Sequence, residues 1–205
     1  MRIFLFSFLF LFSFSTYAQK SYSKEIKKHR KNYKKDFLSN DHSPLQKKDL
    51  KSLHFYKPKE NYRVTADFER TPDAEEFAMA TVSGVNQAYI KYGTATFVLE
   101  GKTLQLAIYK SLRLARMPQY KDHLFMPFND ATNGNETYGG GRYLDLKMGE
   151  IKNGKVTLDF NKVYNPYCAY SDGYSCPIPP RENNLDFAIE AGEMQFTGVY
   201  KGKHK

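Results

Sequence analysis

Residues 87–110 read QAYIKYGTATFVLEGKTLQLAIYK, and this stretch decides the fold class. Two runs rich in β-branched and aromatic residues lie on either side of Glu100-Gly101, a pair typical of a turn. The stretch therefore predicts a strand, a turn and a second strand.

Other runs with strand character surround this hairpin. In YRVTADFE, Val64, Ala66 and Phe68 alternate with polar neighbours, which is the period of a half-buried strand. Asn153-Gly154 is the strongest short hairpin signal and joins two further runs. The predicted strands cover residues 62–69, 76–82, 87–100, 102–110, 122–128, 142–148, 155–160 and 185–190.

Short strands at regular spacing, with no helical period between them, are typical of all-β proteins. We therefore expect a mainly β fold, an antiparallel β-barrel or sandwich of about eight strands, with one or two N-terminal helices. The β-rich domain would span residues 53–200, followed by a basic tail at 201–205.

The first residues, MRIFLFSFLFLFSFSTYAQK, have the organisation of a secretory signal peptide. Arg2 gives the positive start, residues 3–14 are almost entirely apolar, and Thr16 and Ala18 are small residues at the cleavage positions. We expect cleavage after Ala18 and export to the periplasm or out of the cell. The apolar run is shorter than the ~20 residues that a spanning helix needs, so no transmembrane segment is expected after cleavage.

Residues 19–52 form a basic arm with helical character. Ser43 is a good N-cap before Pro44, which predicts a second short helix that ends near Ser52. A single apolar stripe should dock the first helix on the body of the protein, and its members are Tyr22, Ile26, Tyr33 and Phe37.

The charge of the chain is concentrated in this arm. The net charge is +9 overall; residues 20–63 carry 14 Lys/Arg and 5 Asp/Glu, whereas residues 64–205 carry 16 and 17. Such an arm is either a solvated helix or a contact for an anionic surface. Nucleic acid is not an expected partner, because the sequence contains no recognition motif for it.

A glycine-rich loop, PFNDATNGNETYGGGRYLDL at residues 127–146, carries the first candidate site. Gly139–Gly141 free the backbone for a positive φ or a bulge, and Arg142 then shares the inward face with Leu144 and Leu146. A buried guanidinium needs an acid or an anionic ligand. Two alternatives follow: an internal clamp with one of the loop acids Asp130, Glu136 or Glu182, or an anion-binding site formed by Arg142 and glycine N–H groups.

A proline-rich loop, YNPYCAYSDGYSCPIPPRENN at residues 164–184, carries the second. In an exported protein, Cys168 and Cys176 are most simply a disulfide. Their spacing is not that of a zinc site, no histidine is nearby, and no cofactor motif is present, so neither metal nor cofactor is expected. Because the disulfide and prolines would hold this long loop still, we expect it to present residues that bind a ligand.

The two loops resemble the bacterial family of domains of unknown function numbered 1684. The resemblance covers residues 53–200 and implies no activity, since none is assigned to that family. Its motif positions and the two loops together give nine candidate ligand-binding residues, which are Asp130, Thr137, Tyr138, Arg142, Asn161, Tyr164, Asn165, Glu182 and Asn183.

Three functions compete at this stage. The first is a module that binds a small polar or anionic ligand between loops 128–143 and 161–184. The second is a structural envelope-associated protein whose motifs only build a rigid fold. The third is a hydrolase that uses Asp130, Asp159 or Glu182 as general acid or base, although the chain has no nucleophile motif.

Overall fold

The protein is an antiparallel sheet curled into a half-barrel, with one long helix at its N-terminus. The structure is a computed structural model that describes residues 4–202, with side chains described from Gln19 onward. Its regular elements are α1 (Phe4–Ser39), β1 (Arg63–Arg70), β2 (Glu76–Met79), β3 (Gln87–Leu99), β4 (Lys102–Ser111), β5 (His123–Phe128), β6 (Arg142–Lys147) and β7 (Lys155–Asp159). Short 3-10 turns lie at Leu50–Ser52, Glu60–Tyr62, Leu114–Arg116, Pro118–Tyr120, Met148–Glu150, Phe160–Lys162, Tyr167–Ala169 and Arg181–Asn183.

The strands follow the order β6-β5-β4-β3-β1-β7, and β2 pairs separately with β3. Alternate side chains of the strands point into the curl, where Ala66, Phe97, Leu106 and Leu158 are almost fully buried. The irregular segment after β7 covers the open side of the curl and adds Ile189 to the same core. The predicted mainly β antiparallel fold is confirmed.

The turn at Glu100-Gly101 is confirmed, since both residues have positive φ and β3 pairs with β4 across it. The turn at Asn153-Gly154 also forms, with φ of 51° and 69°. However, the strands on either side do not pair with each other, because β6 pairs with β5 and β7 with β1 at opposite edges. The local signal fixed the turn but not the strand partners.

The eighth predicted strand, at residues 185–190, was wrong. Its backbone bonds irregularly to the loop after β5: Leu185 N–H donates to Asn129 O at 2.8 Å, and Ala131 N–H donates to Phe187 O at 3.1 Å. The side chains of Asp130 and Arg142 bind the backbone N–H and C=O of Ile189, respectively. A segment whose N–H and C=O groups are bound by loops and side chains has none left for a ladder.

Helix α1 docks through the predicted stripe. Tyr22, Ile26 and Phe37 are buried, and the Tyr22 hydroxyl donates to Asp159 Oδ1 at 2.7 Å. Burial of the Tyr22 ring raises its pKa, so this hydroxyl stays protonated and donating. The stripe therefore packs the arm on the body of the protein.

The second predicted helix, over residues 44–52, was wrong. Ser43 Oγ instead accepts from Leu45 N–H, and Asp49 Oδ2 accepts from Gln46 N–H, so side chains close two local turns. Only the last three residues, Leu50–Ser52, form a 3-10 turn.

Within the residues searched, no helix is both long enough and apolar enough to cross a bilayer. The side chains of the predicted signal peptide, residues 1–18, and most of the predicted basic tail, residues 203–205, lie outside the described part of the chain. Export and cleavage after Ala18 stay predictions.

Candidate functional site

The two motif loops meet beside the start of β6. Gly141 has a φ of 88°, as the glycine triplet predicted, and a Cβ added there would lie 2.6 Å from Pro179 Cγ. Two residues further along the chain, in β6, Tyr143 exchanges backbone hydrogen bonds with Tyr164 at 2.9 and 3.1 Å. Only glycine allows the proline-rich loop to approach this closely.

Arg142 lies inside the protein and is held by the fold. Its side chain is fully buried, and Nη2 donates to Asp130 Oδ2 at 2.7 Å. The same nitrogen donates to Ile189 O at 2.8 Å, and Nη1 donates to Ala191 O at 2.6 Å. Asp130 Oδ1 accepts in turn from the Thr132 hydroxyl at 2.6 Å. Of the two alternatives for Arg142, this geometry favours the internal clamp.

Three predicted asparagines act as buried connectors between backbone segments. Asn183 receives the Ala107 N–H at 2.7 Å and donates to Pro127 O at 2.7 Å, which ties β4 to β5. Asn161 makes the same two-way contact with the backbone of Lys59. Asn165 donates its amide to Met194 O at 2.8 Å. Each side chain replaces the partner that a regular ladder would supply.

A buried carboxylate that the sequence analysis missed lies beneath the arm. Glu193 accepts from the hydroxyls of Tyr170 at 2.7 Å and Tyr33 at 2.9 Å, and from Asn165 N–H at 2.9 Å. Burial raises the pKa of Glu193 to about 7, and the three donors only partly offset this effect. One acid thereby joins the arm to the proline-rich loop.

The remaining predicted residues are also engaged in contacts within the fold. Glu182 pairs with Lys91 and accepts from the Tyr109 hydroxyl at 2.7 Å, and the Lys91 contact holds its pKa below the usual value against the opposing effect of burial. The Tyr138 hydroxyl donates to Cys168 O at 3.3 Å, and Thr137 bonds the hydroxyl of Thr132 at 2.8 Å. Ligand binding by these residues stays a prediction.

The predicted disulfide is present and joins Cys168 to Cys176. The half-cystines are nearly buried, and the eight-residue separation closes a small loop that carries Tyr174. This cross-linked loop forms part of one wall of a cleft on the outer face of the sheet.

A cleft of about 550 Å³ lies on the outer face of the sheet, and we name it the tyrosine groove. One wall consists of outward-facing residues of β3, β5 and β6, and the other consists of residues 164–177. The turns between β4 and β5 form the rim. Its lining residues are Gln87, Tyr89, Arg113, Leu114, Met117, Tyr120, His123, Phe125, Tyr143, Asp145, Tyr164, Pro166, Tyr167, Tyr174, Ser175, Cys176 and Pro177.

A carboxylate connects the two walls of the groove. Asp145 Oδ1 lies 3.0 Å from His123 Nε2, and its Oδ2 accepts from the Tyr164 hydroxyl at 2.9 Å. The Asp145 side chain is 48% exposed, so a ligand can reach it. His123 Nδ1 is buried and has no hydrogen-bond partner among the described residues. Because an ionised carboxylate only accepts hydrogen bonds, the contact between His123 Nε2 and Asp145 orients the imidazole ring in the groove.

Three groove tyrosines, Tyr89, Tyr143 and Tyr164, are neutral at physiological pH. Burial raises the pKa of Tyr164 well above its usual range, and the adjacent Asp145 charge raises it further. Burial likewise raises the pKa of Tyr143 and Tyr89. The Tyr143 ring packs edge-on against Phe125 and Tyr164, with centroid distances of 4.7 and 5.8 Å.

Arg113 supplies a cation at the rim. It is exposed and lines the groove, and none of the ion pairs found within residues 19–202 includes it. It stands in contrast to Arg142, whose charge has an internal partner. Of the two, Arg113 is the guanidinium that an anion from solution can reach.

The arm supports the groove from behind. The ring of Tyr33 lies 6.1 Å from that of Tyr164 between centroids, and Asn40 donates to the Tyr167 hydroxyl at 3.2 Å. The Tyr174 hydroxyl donates to His42 O at 2.8 Å. Three groove tyrosines thus contact residues of the arm.

Of the nine residues predicted to bind a ligand, Tyr164 lines the groove. The sequence analysis missed Arg113, His123 and Asp145. Asp145 could have been found from strand alternation, because it faces away from Arg142 on β6. No local signal marks Arg113, which follows a strand in an ordinary turn.

The three carboxylates considered for a hydrolase lie in separate places. Asp130 contacts Arg142, and Glu182 contacts Lys91; Asp159 binds Tyr22 and lines a second, polar cleft of about 390 Å³ together with Lys162. No group of three or more metal-ligating side chains occurs in the searched part of the chain.

Comparison with known proteins gives the family. Residues 48–194 match the model of the family described as protein of unknown function (DUF1684). The chain belongs to this family. Among solved structures, the DUF1684 chain is similar to an uncharacterized protein from gene locus rrnAC0354 of Haloarcula marismortui, determined by solution NMR. The two share 31% identity over 85% of this chain and 95% of the other, with a TM-score of 0.65. No curated protein matches.

Nine groove residues of this DUF1684 member lie in the two loops, 127–146 and 164–184, that carry the family resemblance in the sequence. They are Tyr143, Asp145, Tyr164, Pro166, Tyr167, Tyr174, Ser175, Cys176 and Pro177. The family motifs therefore contribute both to the buried clamp around Arg142 and to the groove.

Proposed function

We propose that the protein is an exported module that binds a small ligand in the tyrosine groove. The observation that carries the proposal is the cleft of about 550 Å³, which has aromatic walls and a few convergent polar groups. Binding sites for small molecules typically have volumes of about 300–1,000 Å³ and this kind of lining. Export rests on the signal-peptide pattern at residues 1–18, and a disulfide suits an oxidising compartment.

The lining favours a ligand with a flat or ring-shaped body and an acidic group. The accessible aromatic side chains of the lining, Tyr120, Tyr167 and Tyr174, offer surfaces on which a ring packs. Arg113 at the rim is the cation that would pair with a carboxylate or phosphate. The half-exposed carboxylate of Asp145 would accept hydrogen bonds from hydroxyl or amino groups of the same ligand.

A thermal-shift screen tests the proposal. The purified protein is screened against small carboxylates, sugar phosphates and uncharged sugars, and hits are verified by tyrosine fluorescence, since the chain has no tryptophan. We expect acidic ring compounds to raise the melting temperature. We expect Arg113→Gln to abolish this shift and Arg116→Gln to retain it.

Arg116 is the matched control because it lies in the same turn, is exposed and does not line the groove. Equal shifts in both variants would show that binding occurs elsewhere. If no compound of any class raises the melting temperature, the structural alternative replaces the binding module. Hits confined to uncharged sugars would remove the role given to Arg113.

A further inference from the structure

The outer face of α1 carries a continuous row of cations. Six lysines of the helix are exposed to solvent, and their spacing of three or four residues places them on one face. We name this row the lysine stripe. Its members are Lys20, Lys24, Lys27, Lys28, Lys31 and Lys35.

The stripe points away from the body of the protein. The opposite face of α1 is the docked one, where Tyr22, Ile26 and Phe37 are buried. At 3.6 residues per turn, the lysines lie on average about 150° around the helix from this docked face. From Lys20 to Lys35 the row extends roughly 22 Å at a rise of 1.5 Å per residue.

No acid among the described residues forms an ion pair with the stripe. Among the ion pairs described for residues 19–202, none includes a stripe lysine. Of the two acids of α1, Glu25 is already paired with Arg63 and Lys162, and Asp36 belongs to none of the described ion pairs. Since residues 64–205 are almost neutral, the net positive charge of the protein lies in the segment, residues 20–63, that includes the stripe.

We propose that the lysine stripe is a docking surface for a bilayer that contains anionic phospholipids. A straight row of six cations on one helix face can approach a flat surface simultaneously, whereas the apolar face of the helix is already used inside the protein. The contact is then electrostatic and reversible, and it weakens with salt.

The position of the stripe in the chain favours a membrane over a soluble polyanion. Helix α1 continues without a break from Phe4 to Ser39, and the stripe follows directly on the apolar run at residues 3–14. A segment that engages a bilayer during export therefore delivers the stripe to the surface of that bilayer. The proposal does not depend on a ligand in the tyrosine groove.

Vesicle co-sedimentation tests the proposal with the protein purified after expression of the full chain, whose N-terminus is read by intact mass. The protein is mixed with vesicles of phosphatidylcholine alone or of phosphatidylcholine and phosphatidylglycerol in equal parts. We expect binding to the anionic vesicles only, and loss of binding as salt is raised.

Two variants with equal net charge locate the contact. The first changes Lys20, Lys24, Lys27 and Lys31 to Gln; the second changes four exposed lysines elsewhere, Lys57, Lys102, Lys121 and Lys152, to Gln. We expect the first to bind several hundredfold more weakly, at about fivefold per lysine, and the second to lose less than about tenfold. Circular dichroism checks that both remain folded.

Three results would overturn the proposal. They are absence of binding to the anionic vesicles, equal weakening in the two variants, and binding to a soluble polyanion such as heparin without binding to vesicles. The last would assign the stripe to a soluble polymer instead.

Discussion

The two faces of strand β6 carry opposite kinds of polar chemistry. On the inner face, Arg142 has no exposed surface, and its contacts with Asp130 and three carbonyl groups are complete except at Nε. On the outer face, Asp145 is half exposed and lies in an open groove. Polar residues of one loop motif thus complete buried contacts on the inner face of the sheet and line an open groove on its outer face.

Removal of the buried Arg142 guanidinium should have the largest effect on the stability of the protein. Arg142→Ala leaves the buried Asp130 carboxylate without its partner, so we expect the free energy of unfolding to fall by about 3–5 kcal/mol. Denaturant unfolding measures the change. Lys59→Ala removes an exposed ion pair with Glu190 and should cost ~1 kcal/mol or less. Equal losses of unfolding free energy in the two variants would show that the Arg142–Asp130 contact contributes no more to stability than an exposed ion pair.

The pH dependence of stability tests the second buried acid. Glu193 has a pKa raised to about 7 in the folded protein, so the unfolded chain releases this proton first as pH rises. The folded protein should therefore lose about 3 kcal/mol of unfolding free energy between pH 4.5 and 7 from this group alone. Glu193→Gln lacks this component, so the variant should gain stability relative to the unchanged protein over that range.

The measurement is chemical denaturation of both proteins across that pH range. The difference between them should be small at the acid end, where Glu193 is protonated and resembles glutamine. A difference that stays constant with pH would contradict the assignment.

The disulfide between Cys168 and Cys176 stabilises the loop that forms one wall of the groove. Removing it by Cys168→Ala with Cys176→Ala should lower the free energy of unfolding by about 2–3 kcal/mol. Reductant should reproduce this loss in the unchanged protein and have no further effect on the variant. Rapid thiol labelling of the unreduced, denatured protein would instead show that the cysteines are free.

The outer face should tolerate substitution with the smallest effect. Asp145→Asn keeps the shape of the side chain and alters a half-exposed contact with His123, so we expect a loss of less than ~1 kcal/mol in unfolding free energy. Thermal denaturation beside Arg142→Ala measures the difference. A loss as large as that of Arg142→Ala would mean that the groove residues build the fold and are not available for a ligand.

Local patterns predicted the strands well because each strand has one face in the core. The alternation of apolar Val64, Ala66 and Phe68 with polar neighbours is enough to predict β1. The strand expected at residues 185–190 failed because its backbone groups are bound by Arg142, Asp130 and the loop after β5, which are distant in the sequence. The Asn153-Gly154 turn formed as expected, but nothing in those two residues specifies which edge of the sheet each flanking strand joins.

The site was harder to predict than the fold, for a physical reason. Asn183 and Arg142 look like ligand contacts because they are polar and stand in rigid loops, yet burial requires the fold itself to supply their partners. Arg113 looks ordinary because its importance comes from what surrounds it in space. Sequence patterns report which residues are polar, and only the fold decides which of them remain open to solvent.

The contact of the arm with three groove tyrosines has a practical consequence for anyone who expresses this protein. A fragment cut to the family boundaries, residues 48–194, omits Tyr33, Asn40 and His42. The groove wall formed by residues 164–177 then loses its contacts with the arm. Such a fragment would expose Glu193 to water and free the rings that shape the cleft. A binding assay on it would report on a different molecule from the chain that keeps the arm.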